Sequence, residues 1–369
     1  MKKTPSLYHI LITSFIIFSC ASTQKHQEES TIPMKEKEFR KLVVHKFGTY
    51  DHLTLEKTSK IPVLKKGEVL IKTIASGVSF TDTLVRKGIY PEIDSSLPVT
   101  PGYDIVGTIE DLHEDSRLFK VNQKVLALTI IGGYSEYLVL PETSLVPLSH
   151  NVDPFKALSL TLPYITAYQM LKRLAKAKKG QILLLTGAGD VGTAIMDLAK
   201  KIGLKIYVAE SMRKKELIES YGAYFLDRDT PYLQKLQEKE KGGVDIVLDC
   251  IGVTNMNRSI RHLKKDGTLI SFGFINDKSK IFTITQYLTF QVASFLSFSK
   301  KLHFYSIGDW HKKHFSWFSQ DIQDLLVMLE KKEISPREYK LIPLEDTPAF
   351  HKDIDERKKE DKRIIIRHN

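Results

Sequence analysis

Cysteine is almost missing from this 369-residue chain, which holds only Cys20 and Cys250. That scarcity excludes a disulfide framework and a cysteine-rich zinc site, and it leaves the redox compartment open. The twelve histidines include no HxxxH pair and read as surface or packing residues. No apolar run reaches the roughly 20 residues that a bilayer-spanning helix needs. Acidic residues are the minority charge, 44 against 55 lysines and arginines, for a net charge of +11. The lysines are scattered and no nucleic-acid-binding motif accompanies them, so nucleic acid is not an expected partner.

What remains is the composition of an ordinary globular protein, 42% hydrophobic and 27% charged. Its length exceeds what one core usually supports and points to two domains. The opening "MKKTPSLYHILITSFIIFSC" joins Lys2 and Lys3 to an apolar run and ends in Ser19-Cys20, the order of an export signal. Ile17-Phe18-Ser19-Cys20 resembles a bacterial lipobox, which implies a lipidated Cys20, a membrane anchor and a permissive signal peptidase that accepts Phe18. The other reading is an uncleaved hydrophobic N-terminus on a cytoplasmic protein. Residues 21–38 are polar and charged and read as a flexible tether.

From Lys41 to about Pro147, short β-branched runs such as "GEVLIKTIA", "DIVGTIE" and "KVLALTI" are bounded by Gly, Pro or charged turns, the pattern of an all-β unit. "DPFKALSLTLPYITAYQMLKRLAKA" then shifts to helical spacing. Beyond Lys179, strand and helix alternate: "QILLLTG", "TAIMDLAKKIG", "KIYVAE", "RKKELIESYG" and onward to "VDIVLDCIG", "NRSIRHLKKDG" and "TLISFGF". That alternation requires a parallel sheet covered on both faces, an α/β doubly wound fold. Gly203, Gly222 and Gly267 fall where left-handed helix caps are expected. The helix "DIQDLLVMLEKKEI" and strand "RIIIRH" are expected to return to the first domain.

Gly187, Gly189 and Gly192, in "LLLTGAGDVGTAIMDLAKKIG", lie between an apolar strand and a helix with a stripe of Ala194, Ile195, Leu198, Ala199 and Ile202. In that setting Gly187-Ala188-Gly189-Asp190-Val191-Gly192 is a candidate diphosphate loop, its free N–H groups and helix dipole favouring phosphate. Asp190 places an unexpected charge there and is read as facing solvent. At the next strand end, Glu210 argues for NAD(H), whereas Ser211, Arg213, Lys214 and Lys215 argue for the 2′-phosphate of NADP(H). Lysines at a helix start oppose its dipole, so the balance favours NADP(H) over NAD(H).

"SGVSFTDTLVRKGIYP", "LPVTPGYDIVGTIE", "GGYSEYLVLP", "LPYITAY", "GAGDVG" and "GVDIVLDCIG" follow one another as in the medium-chain dehydrogenase/reductase superfamily, and the chain from residue 41 onward resembles its zinc-free quinone oxidoreductase branch, including the synaptic vesicle membrane protein subgroup. The resemblance implies a GroES-like β domain, residues 39–165 and 310–369, and a Rossmann domain, residues 166–309. It implies no zinc, since Ser79 stands where zinc enzymes carry Cys and Tyr103-Asp104 where they carry His-Glu. Hydride then passes directly to a quinone or α,β-unsaturated carbonyl. Tyr90 matches a tyrosine near the nicotinamide and is a candidate donor to the acceptor oxygen, its alternative being a ring packed on Pro91. Ser79 occupies an asparagine position of many quinone reductases and keeps a polar contact to cofactor or substrate. Leu84 replaces a second tyrosine.

Thr166 matches a threonine near the nicotinamide ribose or amide; its alternative is a hydroxyl bonded to its own helix. Arg228 falls near the adenosine, and Ile251, Gly252, Phe272, Gly273 and Phe274 follow strands at the ligand edge of the sheet. Asp82 and Arg86 read as an i, i+4 pair. The aromatic stretch from Ile281 to Tyr305 reads as a cleft lid or the subunit interface of a homodimer, or else as a lipid contact. Reduced nicotinamide is a cytosolic donor, which conflicts with export. A membrane-attached binding or scaffold protein with faded chemistry, which Asp190, Ser79 and Leu84 would support, is the alternative to an enzyme.

Overall fold

The computed structural model describes residues 37–90, 96–273, 285, 288–292, 299–358 and 362–368. Cys20, the export signal and most of the tether lie outside these residues, as does Phe274. Strands β1 (Phe39–Val44) and β2 (Leu53–Thr58) form an antiparallel pair. Five strands of a seven-stranded sheet follow, β3 (Glu68–Gly77), β4 (Asp104–Leu112), β5 (Lys124–Leu128), β6 (Tyr137–Pro141) and β7 (Leu145–Pro147). Alternating apolar residues give it one packed face, where Val69, Ile71, Ile105, Ile109 and Val125 are fully buried. Each such side chain contributes about 1.5–3 kcal/mol.

The helix Phe80–Lys87 leaves this sheet behind a capping box at Ser79 and ends at Gly88, which adopts the left-handed conformation. Helical backbone from Pro154 to Leu174 then bridges to the second sheet. It widens into π-helical turns at Leu160–Tyr164 and Gln169–Leu174, and the first accommodates Pro163, which has no N–H to give an ordinary helical bond.

The second sheet is wholly parallel. Its strands are β8 (Ile182–Thr186), β9 (Lys205–Glu210), β10 (Tyr224–Asp227), β11 (Val244–Asp249), β12 (Leu263–Ser271) and β13 (Lys301–Phe304), in the order β10-β9-β8-β11-β12-β13. Strand order reverses between β8 and β11, and ligands of such sheets bind in the crevice beyond the strand ends at that point. Leu183, Leu184 and Leu185 are fully buried because helices cover both faces. Gly203 and Gly222 adopt the expected left-handed conformation. Gly267 does not cap a helix: the preceding helix ends at Ser259, a short 3-10 turn follows, and Gly267 lies inside β12, where Leu263 already packs into the core.

The chain then returns. Helix Phe315–Glu330 packs Phe318, Ile322 and Leu325 into the core that the bridging helical run shares, and Asp321 receives Arg173 through two bonds of 2.7 Å and Gln169 at 3.0 Å. Strand β14 (Tyr339–Ile342) runs parallel to β15 (Arg363–Arg367), which pairs antiparallel with β3, so the last strands complete the first sheet. This is the α/β architecture expected, a GroES-like sheet beside a Rossmann sheet. No helix among the described residues is long and apolar enough to cross a membrane.

Candidate functional site

A cleft of about 1300 Å³ opens beyond the ends of β8, β9 and β11 and reaches Ser79, Leu84 and Tyr90 of the first sheet's side. Its floor is the glycine loop. Gly187 has φ +90°, and a Cβ there would lie 2.7 Å from Cys250 Sγ; one on Gly192 would lie 2.4 Å from the Gly187 carbonyl oxygen. These two glycines let strand, turn and helix close on one another. Gly189 differs: a Cβ would meet nothing within 4 Å, so the open space beside it belongs to the cleft. The N–H groups at the start of helix Asp190–Ile202 border that space.

Asp190 is a quarter exposed, yet its carboxylate is paired rather than left to solvent. Its Oδ1 accepts from Arg337 at 2.9 Å and its Oδ2 lies 3.7 Å from Arg363 Nη1. Arg363 is itself bonded to Asp104 at 2.8 Å, both side chains being almost fully buried. Sequence reasoning missed Arg337 and Arg363, which arrive from the far end of the chain.

Glu210 is buried and fully engaged. One carboxylate oxygen accepts from Ala188 N at 3.2 Å, and the other from Ser211 N at 2.7 Å and from Arg228 at 2.8 Å. Lys214 donates to the Ala188 carbonyl at 2.9 Å, and burial holds its ammonium below the usual lysine range. Glu210, Ser211, Arg213, Lys214 and Arg228 all line the cleft.

Phe272 and Gly273 line the cleft, whereas Ile251 and Gly252 do not. The N–H groups of the latter two are drawn to the Asp249 carboxylate, which also receives Thr186 and Asn255, so this loop is braced inward rather than presented. Burial pushes the Cys250 thiol up to about 12, an inert structural sulfur. Of the aromatic stretch from Ile281, the described Phe290, Gln291 and Leu302 to Tyr305 line the cleft, while Leu288 and Val292 face outward.

Thr166 lies in the cleft wall with its hydroxyl buried and without a hydrogen-bond partner among the described residues, so it does not bond its own helix. Such a group costs roughly 1–3 kcal/mol unless something else satisfies it. Tyr90 meets the buried Tyr103, hydroxyl to hydroxyl at 2.7 Å, with the rings edge to face. Ser79 lines the cleft, but its hydroxyl serves the helix cap, donating to Asp82 Oδ2 at 2.6 Å and accepting from Asp82 N at 3.3 Å. Asp82 also accepts from Gly102 N, and burial lifts its carboxyl to about 6. It does not pair with Arg86, which instead reaches Asp355 at 2.6 Å and the Gly48 carbonyl at 2.9 Å.

The positions compared above with zinc ligands are therefore committed elsewhere: Ser79 to Asp82, Tyr103 to Tyr90, Asp104 to Arg363. Among the described residues no cluster of three His, Cys, Asp or Glu side chains is placed to hold a metal ion.

Residues 65–150 match the family of alcohol dehydrogenase GroES-like domains, and residues 191–317 match the family termed zinc-binding dehydrogenase. Human quinone oxidoreductase is 32% identical over 245 residues, which span 64% of this chain and 74% of that protein. The zebrafish (Danio rerio) synaptic vesicle membrane protein VAT-1 homolog is 32% identical over 281 residues, 73% of this chain, and the match spans 57% of its own length. Among solved structures, human VAT-1 homolog-like protein superposes with a TM-score of 0.74 at 24% identity, covering 90% of this chain and 98% of that one. Escherichia coli quinone oxidoreductase, solved with NADPH, gives 0.76 at 20% identity, covering 89% and 100%. Fold, site geometry and these likenesses agree: the chain belongs to the medium-chain dehydrogenase/reductase superfamily, among the relatives of quinone oxidoreductase and the synaptic vesicle membrane protein homologs.

Proposed function

We propose that the protein is a zinc-independent oxidoreductase that uses NADP(H) in preference to NAD(H) to reduce a quinone or an α,β-unsaturated carbonyl. The observation that carries this reading is the cleft itself, whose lining brings together the open space at Gly189, the unsatisfied hydroxyl of Thr166 and Tyr90, whose hydroxyl is paired with that of Tyr103 behind it. A bound nicotinamide supplies the hydride. The chain supplies everything else. N–H groups of the glycine loop hold the diphosphate, and Thr166 hydrogen-bonds the nicotinamide end. Ser211, Arg213 and Lys214 receive the 2′-phosphate, and the Glu210 carboxylate, already occupied by backbone and Arg228, offers little to a free ribose diol.

Tyr90 donates its hydroxyl proton toward the acceptor oxygen as negative charge develops there, and Tyr103 fixes the ring that presents it. Leu84, Ile89, Leu162 and Phe272 exclude water from the reacting atoms. Ser79 contributes by capping the helix that carries Leu84, not by a free hydroxyl.

Nicotinamide fluorescence titration of the full chain, then a screen of quinones and enones, tests the reading. Saturable binding, tighter for NADPH, and turnover lowered by Tyr90→Phe are the expected results. Binding of neither coenzyme refutes the enzyme and leaves the scaffold alternative. The reading extends to a lipid anchor at Cys20 and to a homodimer. Equal lipid labelling of wild type and Cys20→Ala removes the first; a monomeric mass in solution removes the second.

A further inference from the structure

A carboxylate at the mouth of a diphosphate site is an electrostatic obstacle, and the structure contains the device that cancels it. Asp190 opens the helix whose N–H groups border the cleft, where a negative side chain competes for the positive potential a phosphate would use. Its side chain turns instead to Arg337, 2.9 Å away and only 9% exposed, in the segment before β14. The neighbouring cation, Arg363, is committed to Asp104 at 2.8 Å. Two acids, Asp104 and Asp190, therefore face two arginines, Arg337 and Arg363, and the four charges of this group balance, with the buried ammonium of Lys214 and its neighbour Glu210 forming a second balanced pair beside them. Without Arg337 the group carries one net negative charge beside the loop.

We propose that Arg337 is a positioning residue for the diphosphate of a bound dinucleotide: it neutralises Asp190 and holds that carboxylate away from the N–H groups of the glycine loop. This rests on the dinucleotide reading above. The charge count sets an order of affinity. Asp190→Gly leaves the group at plus one, Arg337→Lys and the Asp190→Gly/Arg337→Ala pair leave it neutral, and Arg337→Ala leaves it at minus one. NADPH and NADH share the diphosphate, so both shift by the same factor, unlike the effect of any residue at the 2′-phosphate.

The experiment is fluorescence titration of the full chain and these four variants with NADPH and with NADH, beside thermal melting of each. Arg337→Ala is expected to weaken both coenzymes about tenfold, as one uncompensated charge near the ligand predicts. Arg337→Lys and the double variant are expected to return close to wild type, and Asp190→Gly to bind both several-fold tighter. A double variant as weak as Arg337→Ala overturns the proposal, since Arg337 then acts on phosphate or on folding rather than through Asp190. Should Arg337→Ala fail to melt cooperatively, Asp190→Gly decides alone: unchanged or weaker binding overturns it. Wild type that binds neither coenzyme overturns the dinucleotide reading, and this proposal with it. Wild type that binds while Arg337→Ala is unaltered overturns the role of Arg337 only.

Discussion

Three glycines sit within six residues, and the structure assigns them different costs. Gly187→Ala forces a side chain into φ +90° and a Cβ to 2.7 Å from Cys250 Sγ. The left-handed conformation costs roughly 1–2 kcal/mol and the overlap about 1–3 kcal/mol, so a loss of about 2–5 kcal/mol is expected. Gly192→Ala brings a Cβ to 2.4 Å from a backbone oxygen that cannot step aside, with a similar loss. Gly189→Ala has neither problem, since its φ is −80° and its Cβ would meet nothing within 4 Å. Reduced freedom of the unfolded chain stabilises that variant by about 0.4–1 kcal/mol, and a poorer helix N-cap offsets this by about the same amount. Its melting temperature should therefore match wild type. Its coenzyme affinity should not, because the methyl group enters the space the diphosphate needs, and an overlap of about 1–3 kcal/mol weakens binding roughly 5- to 150-fold. Thermal melting and fluorescence titration of the three variants separate fold from ligand. A Gly189→Ala protein that binds NADPH as wild type does, or melts as low as Gly187→Ala, refutes the reasoning.

Lys214→Ala is expected to weaken NADPH at least about tenfold while changing NADH about twofold or less, because a charge-assisted contact to phosphate is lost; equal losses in the two titrations would move Lys214 away from the 2′-phosphate. Asp104→Asn leaves Arg363 buried without its near partner and is expected to cost about 3 kcal/mol, read as a lower denaturation midpoint; an unchanged midpoint contradicts a structural role for the pair. His351 is buried against Tyr134 with its ring held neutral, burial pushing it down to about 3. The unfolded chain binds that proton from about pH 6.5 downward and the folded protein does not, so stability falls as pH drops from about 6.5 toward 3. His351→Gln should remove about 2 kcal/mol of this decline between pH 7 and pH 5, measured by denaturant melts at the two values, and an identical decline in the variant refutes it.

Local pattern and long-range partnership divide what could be read in the sequence. Most strands of the two sheets, the glycine loop and the caps at Gly203 and Gly222 follow from periodicity and from single-residue conformational needs, which neighbouring residues express, whereas β14 and β13, the latter inside the aromatic stretch, carried no such pattern. Gly267 misled because "HLKKDG" reads as a helix end, yet Leu263 is held in the core and the chain is already in β12. Asp82 and Arg86 misled in the same way: their helical spacing is real, but Arg86 finds Asp355, 269 residues on. The Ser79-x-x-Asp82 spacing did carry a readable signal for the capping box that takes the Ser79 hydroxyl. Nothing near Asp190 in sequence announces Arg337, 147 residues away, nor does anything near Asp104 announce Arg363, 259 residues away.

That division bears on whether the chemistry has faded. Asp190, Ser79 and Leu84 were the departures that favoured a scaffold, and each looked like damage when viewed alone. In the fold, Asp190 is matched by two arginines that the rest of the chain delivers, so its charge is accommodated rather than left facing the loop. Ser79 is a helix cap that also borders the cleft. Leu84 stays apolar beside the reacting end, where exclusion of water is an asset for hydride transfer. A decaying site loses polar groups without replacement, leaving buried atoms unpaired throughout. Among the described residues, buried atoms of Asp104 and Arg363 beside the cleft do lack partners, but their charges are paired, and the hydroxyl left open on the cleft wall is that of Thr166, the position the proposed coenzyme site would use.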